Sequence, residues 1–328
     1  MRILVTGGAG FIGSHLAEYL LANENQVHVL DDFSTGSLLN IARLCADARL
    51  QVVHESVTTE AVLEPLVRAC DVIYHLAAVV GVRRVVEAPV QTIETNVMGT
   101  AAVLRMAKRY CRKVVLASTS EVYGKTERVP FREDDDRLLG PTTVTRWCYA
   151  TSKALDEFLA LAYAREHGLP VVIVRLFNTI GPRQSGRYGM VVPRLVAQAL
   201  ADEPLTVYGD GTQTRCFADV RDIVRGMVAL TECLQAEGQV FNLGSSREIT
   251  INDLARLIIA VTGSHSTIIH VPLAQVYGAG FEEAHRRVPD TSKVKALIGW
   301  EASIPLAETI AGVAEAMSGA GSPSEGAS

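Results

Sequence analysis

The stretch MRILVTGGAGFIG, residues 1–13, joins a short apolar run to three glycines spaced three residues apart. The run Ile3–Thr6 predicts a buried strand, and Phe11–Ala22 predicts the helix that follows it. Gly7 permits a tight turn, Gly10 lets a pyrophosphate approach the backbone, and Gly13 lets the helix pack on the strand. The free N–H groups at the helix start would face the phosphates. The stretch therefore predicts a dinucleotide-binding βαβ unit.

The same alternation of short apolar runs and longer amphipathic stretches continues through the first half of the chain. Further strands are expected at Val27–Asp31, Gln51–His54, Val72–Ala77, Val114–Ser118 and Val171–Leu176. Helices are expected at Val90–Tyr110 and Tyr149–His167. Continuous Val, Ile and Leu runs are typical of parallel strands covered on both faces. The predicted fold is α/β, with a doubly wound parallel sheet.

The pattern changes after about residue 180, where Gly and Pro become more frequent and the strands shorter. Strands are expected there at Leu205–Tyr208 and Val240–Leu243, and a helix near Asn252–Val261 begins after Thr250. We predict a dinucleotide-binding domain at residues 1–180, to which some later segments return. A smaller lobe would occupy 181–317, and the Gly/Ser/Pro-rich tail at 318–328 is expected to be disordered.

Composition argues against several classes of function. The net charge is −5 with no basic stripe, so no nucleic-acid partner is expected. No apolar run reaches the roughly 18 residues of a membrane span, and the N-terminus lacks the features of a signal peptide. The six cysteines are scattered without CxxC spacing, which indicates reduced thiols and a cytoplasmic location. No metal-site spacing is present.

Two acidic residues, Asp31 and Asp32, end the second predicted strand. An acid at this point can accept hydrogen bonds from the hydroxyls of an adenosine ribose. It would also repel a 2′-phosphate, and no basic residue follows until Arg43. The pattern favours NAD over NADP. The alternative interpretation is that both carboxylates are solvated loop acids, an alternative with more weight for Asp32 than for Asp31.

Tyr149 and Lys153 lie four residues apart in RWCYATSK and would share one face of a helix. A free tyrosine has a pKa of about 10 and is a poor base at neutral pH. A neighbouring ammonium, together with the positive ring of oxidised nicotinamide, favours the phenolate. The phenolate can then take a proton from a sugar hydroxyl. Surface pairs with this spacing are common, so the interpretation depends on the glycine turn upstream.

These motifs, with HLAA at residues 75–78, NVMGT around Asn96 and STSEVYG, together resemble the extended short-chain dehydrogenase/reductase family. The resemblance covers nearly the whole chain. It implies a Rossmann domain, a smaller lobe that binds a nucleotide sugar, and a bound NAD used transiently on that sugar. The NAD contacts that it implies are Gly7, Gly10, Phe11, Ile12, Gly13, Asp31, Asp32, Ser56, Val57, Leu76, Ala77, Ala78, Asn96, Tyr149 and Lys153.

The polar cluster Thr119-Ser120-Glu121 ends a predicted parallel strand, where ligands of such sheets bind. By resemblance, Thr119 bonds the sugar 4-hydroxyl, and Ser120 and Glu121 face C5 and C6. The cluster, with Arg146, is similar to that of the UDP-glucuronate decarboxylases of the family, which form UDP-xylose or its 4-keto form. Oxidation at C4 places a ketone β to the substrate carboxylate, which then leaves readily as CO2.

The role of Glu121 stays open at this point. It could orient the ring, repel the substrate carboxylate, move a proton through Ser120, or make only a local backbone hydrogen bond. The segment HLAAVVGVRRVVE is more similar to that of the epimerases. A UDP-glucose or UDP-glucuronate 4-epimerase is therefore the alternative. A catalytically silent NAD-binding regulator is a third possibility, although Thr119, Tyr149 and Lys153 are intact.

Residues of the smaller lobe are assigned to the UDP-sugar by resemblance. Asn178 would contact the diphosphate, Arg215 and Arg287 would clamp it, and their planar guanidinium groups suit phosphate oxygens. The other expected substrate contacts are Arg183, Tyr208 and Asp290. One of Arg183, Arg187 and Arg194 is a candidate for the substrate carboxylate, with a solvated role as the alternative. The resemblance also implies a homodimer that pairs helices near Val97–Tyr110 and Ala150–Ala164.

Overall fold

The computed structural model describes residues 1–186, 189–277 and 285–319. Its strands are β1 (Arg2–Thr6), β2 (Gln26–Asp31), β3 (Leu50–His54), β4 (Val72–His75), β5 (Lys113–Thr119), β6 (Val171–Leu176), β7 (Thr179–Ile180), β8 (Leu205–Tyr208), β9 (Thr214–Cys216), β10 (Ala218–Asp219), β11 (Gln239–Leu243), β12 (Glu248–Thr250) and β13 (Ile268–Val271). Its helices are α1 (Phe11–Ala22), α2 (Leu38–Ile41), α3 (Glu60–Ala69), α4 (Val82–Glu87), α5 (Pro89–Tyr110), α6 (Trp147–His167), α7 (Val191–Leu200), α8 (Val220–Glu232), α9 (Ile251–Thr262), α10 (Leu273–Tyr277), α11 (Ser292–Ile298) and α12 (Leu306–Gly319).

Seven parallel strands form the central sheet in the order β11-β6-β5-β4-β1-β2-β3. One apolar cluster packs α1 and α8 against one face of the sheet, with Leu16 and Met227 fully buried in it. A second cluster packs α3, α5 and α6 against the other face and contains Leu63 and Val103. Both faces are thus covered, which explains the continuous apolar strands. The predicted α/β fold with a doubly wound parallel sheet is confirmed.

A smaller lobe stands beside the carboxyl ends of these strands. It contains the parallel pair β8–β13 and the antiparallel pair β9–β12. Helices α7, α9 and α12 pack together around Leu195, Leu254 and Ile310. Thr250 caps α9 by accepting a hydrogen bond of 3.0 Å from the N–H of Asp253. That cap explains why the helix begins where the sequence predicted it.

Strand β11, Gln239–Leu243, is a later segment that returns to the central sheet, where it pairs with β6 at the edge. The sequence predicted that some later segments return, but not which ones. An apolar run predicts a strand, whereas the sheet that the strand joins depends on long-range packing. The division at residue 180 stays a prediction. Helix α12 continues through Ser318 to Gly319, and residues 320–328 of the expected tail lie outside the described residues.

Among the residues that the structure describes, no helix combines the length and apolar character required to cross a bilayer. Within the same ranges, no group of three or more His, Cys, Asp and Glu side chains is arranged to hold a metal ion.

Candidate active site

A single cleft at the carboxyl ends of the central strands brings together most of the predicted site residues. It extends from the glycine turn after β1 to the facing surface of the smaller lobe. The predicted residues that line it are Gly7, Gly10, Phe11, Ile12, Gly13, Asp31, Asp32, Ser56, Val57, Leu76, Ala77, Ala78, Thr119, Ser120, Glu121, Tyr149, Lys153, Asn178, Tyr208, Arg215 and Arg287. Asn96, Arg183 and Asp290 are not among its lining residues.

The glycine turn leaves space where a side chain would obstruct a ligand or the backbone. Gly7 has a φ of +71°, and a Cβ there would lie 2.8 Å from the backbone nitrogen of Ala77. A Cβ on Gly13 would lie 2.2 Å from the carbonyl oxygen of Gly7. Gly10 starts α1 without a side-chain cap, so the first helical N–H groups face the cleft. The residues present therefore fit a pyrophosphate.

Asp31 closes the far side of this turn. Its carboxylate accepts hydrogen bonds from the N–H groups of Ala9 at 2.9 Å and Phe33 at 2.8 Å. Burial raises the pKa of Asp31, while these two donors act in the opposite direction. Asp32 is exposed and accepts a hydrogen bond from the N–H of Ser34 at 2.9 Å. Asp31 is thus a fixed, buried acceptor, whereas Asp32 resembles the solvated loop acid of the alternative interpretation.

Asn96 lies behind the cleft wall. Its Oδ1 accepts a hydrogen bond from the N–H of Val79 at 2.8 Å, and its Nδ2 donates to the hydroxyl of Ser152 at 3.1 Å. The side chain is fully buried. Asn96 therefore joins the loop after β4 to helix α6. It would act on a bound cofactor through that loop.

Tyr149 lies in the first turn of α6, opposite the end of β5. The hydroxyl of Thr119 forms a hydrogen bond with its phenol and also accepts one from the N–H of Glu121 at 3.2 Å. Burial raises the pKa of Tyr149, and the negative charge of Glu121 raises it further. Thr119 acts in the opposite direction because its hydrogen bond favours the phenolate.

Lys153 follows one turn later and has a partner that the sequence interpretation missed. Its ammonium donates a hydrogen bond of 2.8 Å to Asp156, and both side chains are almost completely buried. The charge of Asp156 also raises the pKa of Tyr149. The available signal was an acid three residues after the lysine, which places it on the same helix face. The tyrosine and lysine therefore belong to a group of three.

Ser120 and Glu121 begin a short 3-10 helix, Ser120–Tyr123, directly after β5. Thr119, not Glu121, caps that helix. The carboxylate of Glu121 forms an ion pair with Arg287, whose Nη1 lies 3.3 Å away. Both side chains are largely shielded from solvent, with 19% and 10% of the Glu121 and Arg287 side chains exposed. The carboxylate of Glu121 thus points to Arg287, which lines the cleft from a distant part of the chain.

Arg146 is a further basic residue of this region. It is 7% exposed, lines the cleft and stands over the ring of Trp147 at 5.1 Å. The sequence analysis noted it for its similarity to the decarboxylases and gave it no role. A buried guanidinium that lines the same cleft as Glu121 and Tyr149 is suited to an anionic substrate group.

The smaller lobe provides the remaining wall. Arg215 is 8% exposed and donates hydrogen bonds to the carbonyls of Thr214 at 2.7 Å and His285 at 3.2 Å. The guanidinium carbon of Arg194 lies over the ring of Tyr208, 3.9 Å from the ring centroid. Both arginines and Tyr208 line the cleft, as does Asn178.

Two of the predicted substrate residues have other partners. Arg183 forms an ion pair with Glu18 and donates to the carbonyl of Asn40 at 3.0 Å, away from the cleft. The Asp290 carboxylate accepts a hydrogen bond of 2.8 Å from the N–H of Ser292, at the start of α11. The structure does not bring either residue to the other candidates. Arg187 lies outside the described residues.

Comparison with known proteins gives consistent matches over almost the whole chain. Residues 4–313 match the family described as GDP-mannose 4,6 dehydratase. A UDP-N-acetyl-alpha-D-glucosaminuronate decarboxylase of Bacillus cytotoxicus is 44% identical, over 94% of this chain and 96% of its own. UDP-glucuronic acid decarboxylase 1 of Arabidopsis thaliana is 41% identical, over 94% and 68%. The solved structure of a UDP-glucuronic acid 4-epimerase from Bacillus cereus, with UDP-glucuronic acid and NAD, has a TM-score of 0.88 at 32% identity, covering 98% and 100%.

Proposed function

Because the chain belongs to the GDP-mannose 4,6 dehydratase family, we propose that it is an NAD-dependent UDP-glucuronate decarboxylase that forms UDP-xylose, UDP-4-keto-xylose or both. The observation that carries the proposal is the Glu121–Arg287 pair next to Tyr149 in the cleft. Relatives named as decarboxylases support it, since several are 39–44% identical over most of the chain.

NAD is the cofactor that the cleft fits. The bare glycine turn would hold the pyrophosphate, and the buried carboxylate of Asp31 would accept hydrogen bonds from the adenosine ribose. When bound, NAD supplies a reversible two-electron oxidation at C4 of the sugar. The acidic end of β2 supports NAD over NADP, because a 2′-phosphate would be repelled there.

Tyr149 is the group that takes the proton of the sugar 4-hydroxyl. Thr119 supports this role because its hydroxyl favours the phenolate and is itself held by the N–H of Glu121. Asp156 holds the Lys153 ammonium within the same helix. The base is therefore surrounded by groups with fixed positions, which is what efficient proton transfer requires.

Glu121 provides a reason for decarboxylation in particular. Its negative charge raises the pKa of Tyr149, so its field extends to the position where the sugar reacts. A substrate carboxylate held in that field is repelled, and the repulsion is relieved as the C5–C6 bond breaks and neutral CO2 leaves. The electron pair passes to the enolate oxygen at C4, beside Tyr149, and C5 then gains a proton. Arg287 holds the Glu121 carboxylate in position from 3.3 Å.

The experiment is to supply purified protein with NAD and UDP-glucuronate and to determine the product mass. The expected product is lighter than the substrate by one CO2 where UDP-xylose forms, and by one CO2 and two hydrogens, with one NADH produced, where UDP-4-keto-xylose is released. An isobaric product would instead support the alternative, a UDP-glucuronate 4-epimerase, because both reactions begin with oxidation at C4. Incubation with UDP-glucose distinguishes the UDP-glucose epimerase, since that substrate has no carboxylate to lose.

A second candidate substrate follows from the Bacillus cytotoxicus relative, whose name specifies a 2-acetamido sugar. UDP-N-acetylglucosaminuronate undergoes the same chemistry at C4, C5 and C6, since it differs from UDP-glucuronate only at C2. Supplying both uronates in equal amounts in one reaction and comparing the initial amounts of the two decarboxylated products, which differ in mass, decides which one has the larger kcat/KM.

We also infer a homodimer that pairs through α5 and α6. Leu155 and Phe158 are 49% and 56% exposed and share one face of α6, and Val90 and Met98 are exposed on α5. Large apolar side chains grouped on two adjacent helices are typical of a protein interface.

The six cysteines are unpaired, which agrees with a reducing compartment such as the cytoplasm.

A further inference from the structure

The Glu121–Arg287 pair joins two segments that lie 166 residues apart in the chain. Both segments are attached to one group of buried side chains, here called the buried polar cluster: Ser118, Tyr123, Glu157, Arg175 and Asn242. Each member is less than 9% exposed. None of them is used in the chemistry described above.

Tyr123 is the member that belongs to the same 3-10 helix as Glu121. Its hydroxyl donates to Oδ1 of Asn242 at 2.7 Å and accepts from Nη1 of Arg175 at 2.9 Å. Its ring is fully buried and stacks on Phe131, with ring centroids 4.7 Å apart. Burial raises the pKa of Tyr123 to about 12, so the hydroxyl keeps its proton and remains a donor.

Arg175 fixes the other side of Tyr123. Its guanidinium makes two parallel hydrogen bonds to Glu157, at 2.9 and 2.7 Å, and Ser118 donates to the same carboxylate. Glu157 lies on α6, the helix that carries Tyr149. A bidentate pair of this kind is directional and resists rotation. Tyr123 is therefore held in a fixed relation to the helix of the proposed base.

Asn242 extends the cluster to the segment of Arg287. Its Nδ2 donates to the carbonyls of Phe131 at 2.9 Å and Asp290 at 3.1 Å. Phe131 in turn pairs with the segment through two backbone hydrogen bonds of 2.8 Å, one to the carbonyl of Val288 and one from the N–H of Asp290. The backbone on which Arg287 stands is thus attached to Asn242 directly and through Phe131.

We propose that Tyr123 and Asn242 are positioning residues that set the separation of Glu121 and Arg287 across the cleft. The Tyr123–Asn242 hydrogen bond connects the 3-10 helix of Glu121 to the side chain that holds the Arg287 segment, and it acts beside the Tyr123–Phe131 ring stack and the β6–β11 pairing of Arg175 with Asn242. Active-site groups have to be held within about 0.5 Å of their working geometry. The catalytic consequence rests on the proposed function, whereas the structural link does not.

The test is Tyr123→Phe, which removes the hydroxyl and keeps the stacked ring. Tyr74→Phe is the matched control, because Tyr74 is equally buried and its hydroxyl donates to Thr231 at 2.9 Å, outside the cluster. Amide hydrogen exchange at Phe131 and Asp290 should accelerate about tenfold in Tyr123→Phe and stay unchanged in Tyr74→Phe. Equal exchange in the two variants would refute the proposed link whatever the enzyme's activity.

The catalytic readout uses a double-mutant cycle. Tyr123→Phe should lower kcat for CO2 release about tenfold, and the same change should have little further effect in an Arg287→Ala background, where the pair with Glu121 is absent. Additive effects would show that Tyr123 does not act through the pair. If neither uronate loses CO2 but the exchange result holds, the proposed function fails and the link stands. If CO2 is released and Tyr123→Phe behaves as Tyr74→Phe, the positioning role fails alone.

Discussion

Lys153 donates a hydrogen bond of 2.8 Å to Asp156 within the buried face of α6, one turn from Tyr149. The lysine charge that was expected to favour the phenolate is therefore matched by an opposite charge on the same helix. Burial, Glu121 and Asp156 together raise the pKa of Tyr149. The direction is opposite to that expected from the lysine alone: desolvation is the largest cause, and the lysine already has a partner in Asp156.

Asp156→Asn should move the pH dependence of the reaction. The Asp156 anion favours the neutral phenol, so its removal lowers the pKa of Tyr149. The base then ionises at lower pH, and the acid limb of kcat/KM against pH should shift down by roughly one pH unit. Asp71→Asn, whose carboxylate pairs with Arg2 at the surface, is the control. A uniform loss of rate with no shift would indicate a purely structural role for Asp156.

Tyr149→Phe should remove the proton acceptor without disturbing the cleft wall. We expect kcat to fall by about 10²–10⁴, the range typical of a general base. NAD affinity, measured by titration calorimetry, should change little, because the glycine turn and Asp31 are untouched. A variant that retains its turnover would show that another group accepts the proton.

Arg287→Lys tests the diphosphate clamp. A lysine keeps the charge but loses the planar fork that can bond two phosphate oxygens, so the Kd for UDP should rise about tenfold. Arg286→Lys is the matched control, since the neighbouring Arg286 is half-exposed and forms its ion pair with Glu248. Calorimetry with UDP alone measures both variants, and equal affinities for UDP would count against the assignment.

His75 should make the protein less stable in acid. Burial lowers its pKa from 6.5 to about 3, and its ring nitrogens are hydrogen-bonded to Thr6 and Thr100. The unfolded chain therefore binds this proton first as the pH falls below 6.5, and the stabilisation is lost progressively down to about 3. Between pH 7 and 5 this amounts to about 2 kcal/mol.

Urea unfolding at the two pH values measures the effect. In His75→Asn the loss of stability between pH 7 and 5 should be smaller than in the unchanged protein by that amount. His265→Asn, at an exposed position, should show the full loss. An equal loss in both variants would mean that His75 is not the group responsible.

The homodimer predicts a separate outcome. Phe158→Asp places a charge in the exposed apolar face of α6 and should convert the dimer to a monomer in light scattering after size exclusion. Leu39→Asp is the control, because Leu39 is 85% exposed but lies on α2, away from α5 and α6. A monomeric protein before mutation, or an unchanged dimer after it, would contradict the proposed interface.

The sequence predicted best those features that local chemistry determines. Helix Phe11–Ala22 and strand Val171–Leu176 have the bounds that were expected, because a glycine turn and a continuous apolar run define them. Features that depend on distant contacts were not predictable. The sheet joined by β11, the Arg287 partner of Glu121 and the surface partner of Arg183 all connect segments more than 60 residues apart.

Strand β11 has a consequence for synthesis of the chain on the ribosome. Strand β6 is complete when residue 176 has emerged, but its outer edge is covered only by Gln239–Leu243. Until residues 239–243 have emerged, the backbone N–H and C=O groups at the outer edge of β6 are unpaired, and they favour association between copies. Shortened versions that stop before residue 239 should therefore aggregate, even though they retain every glycine of the first turn.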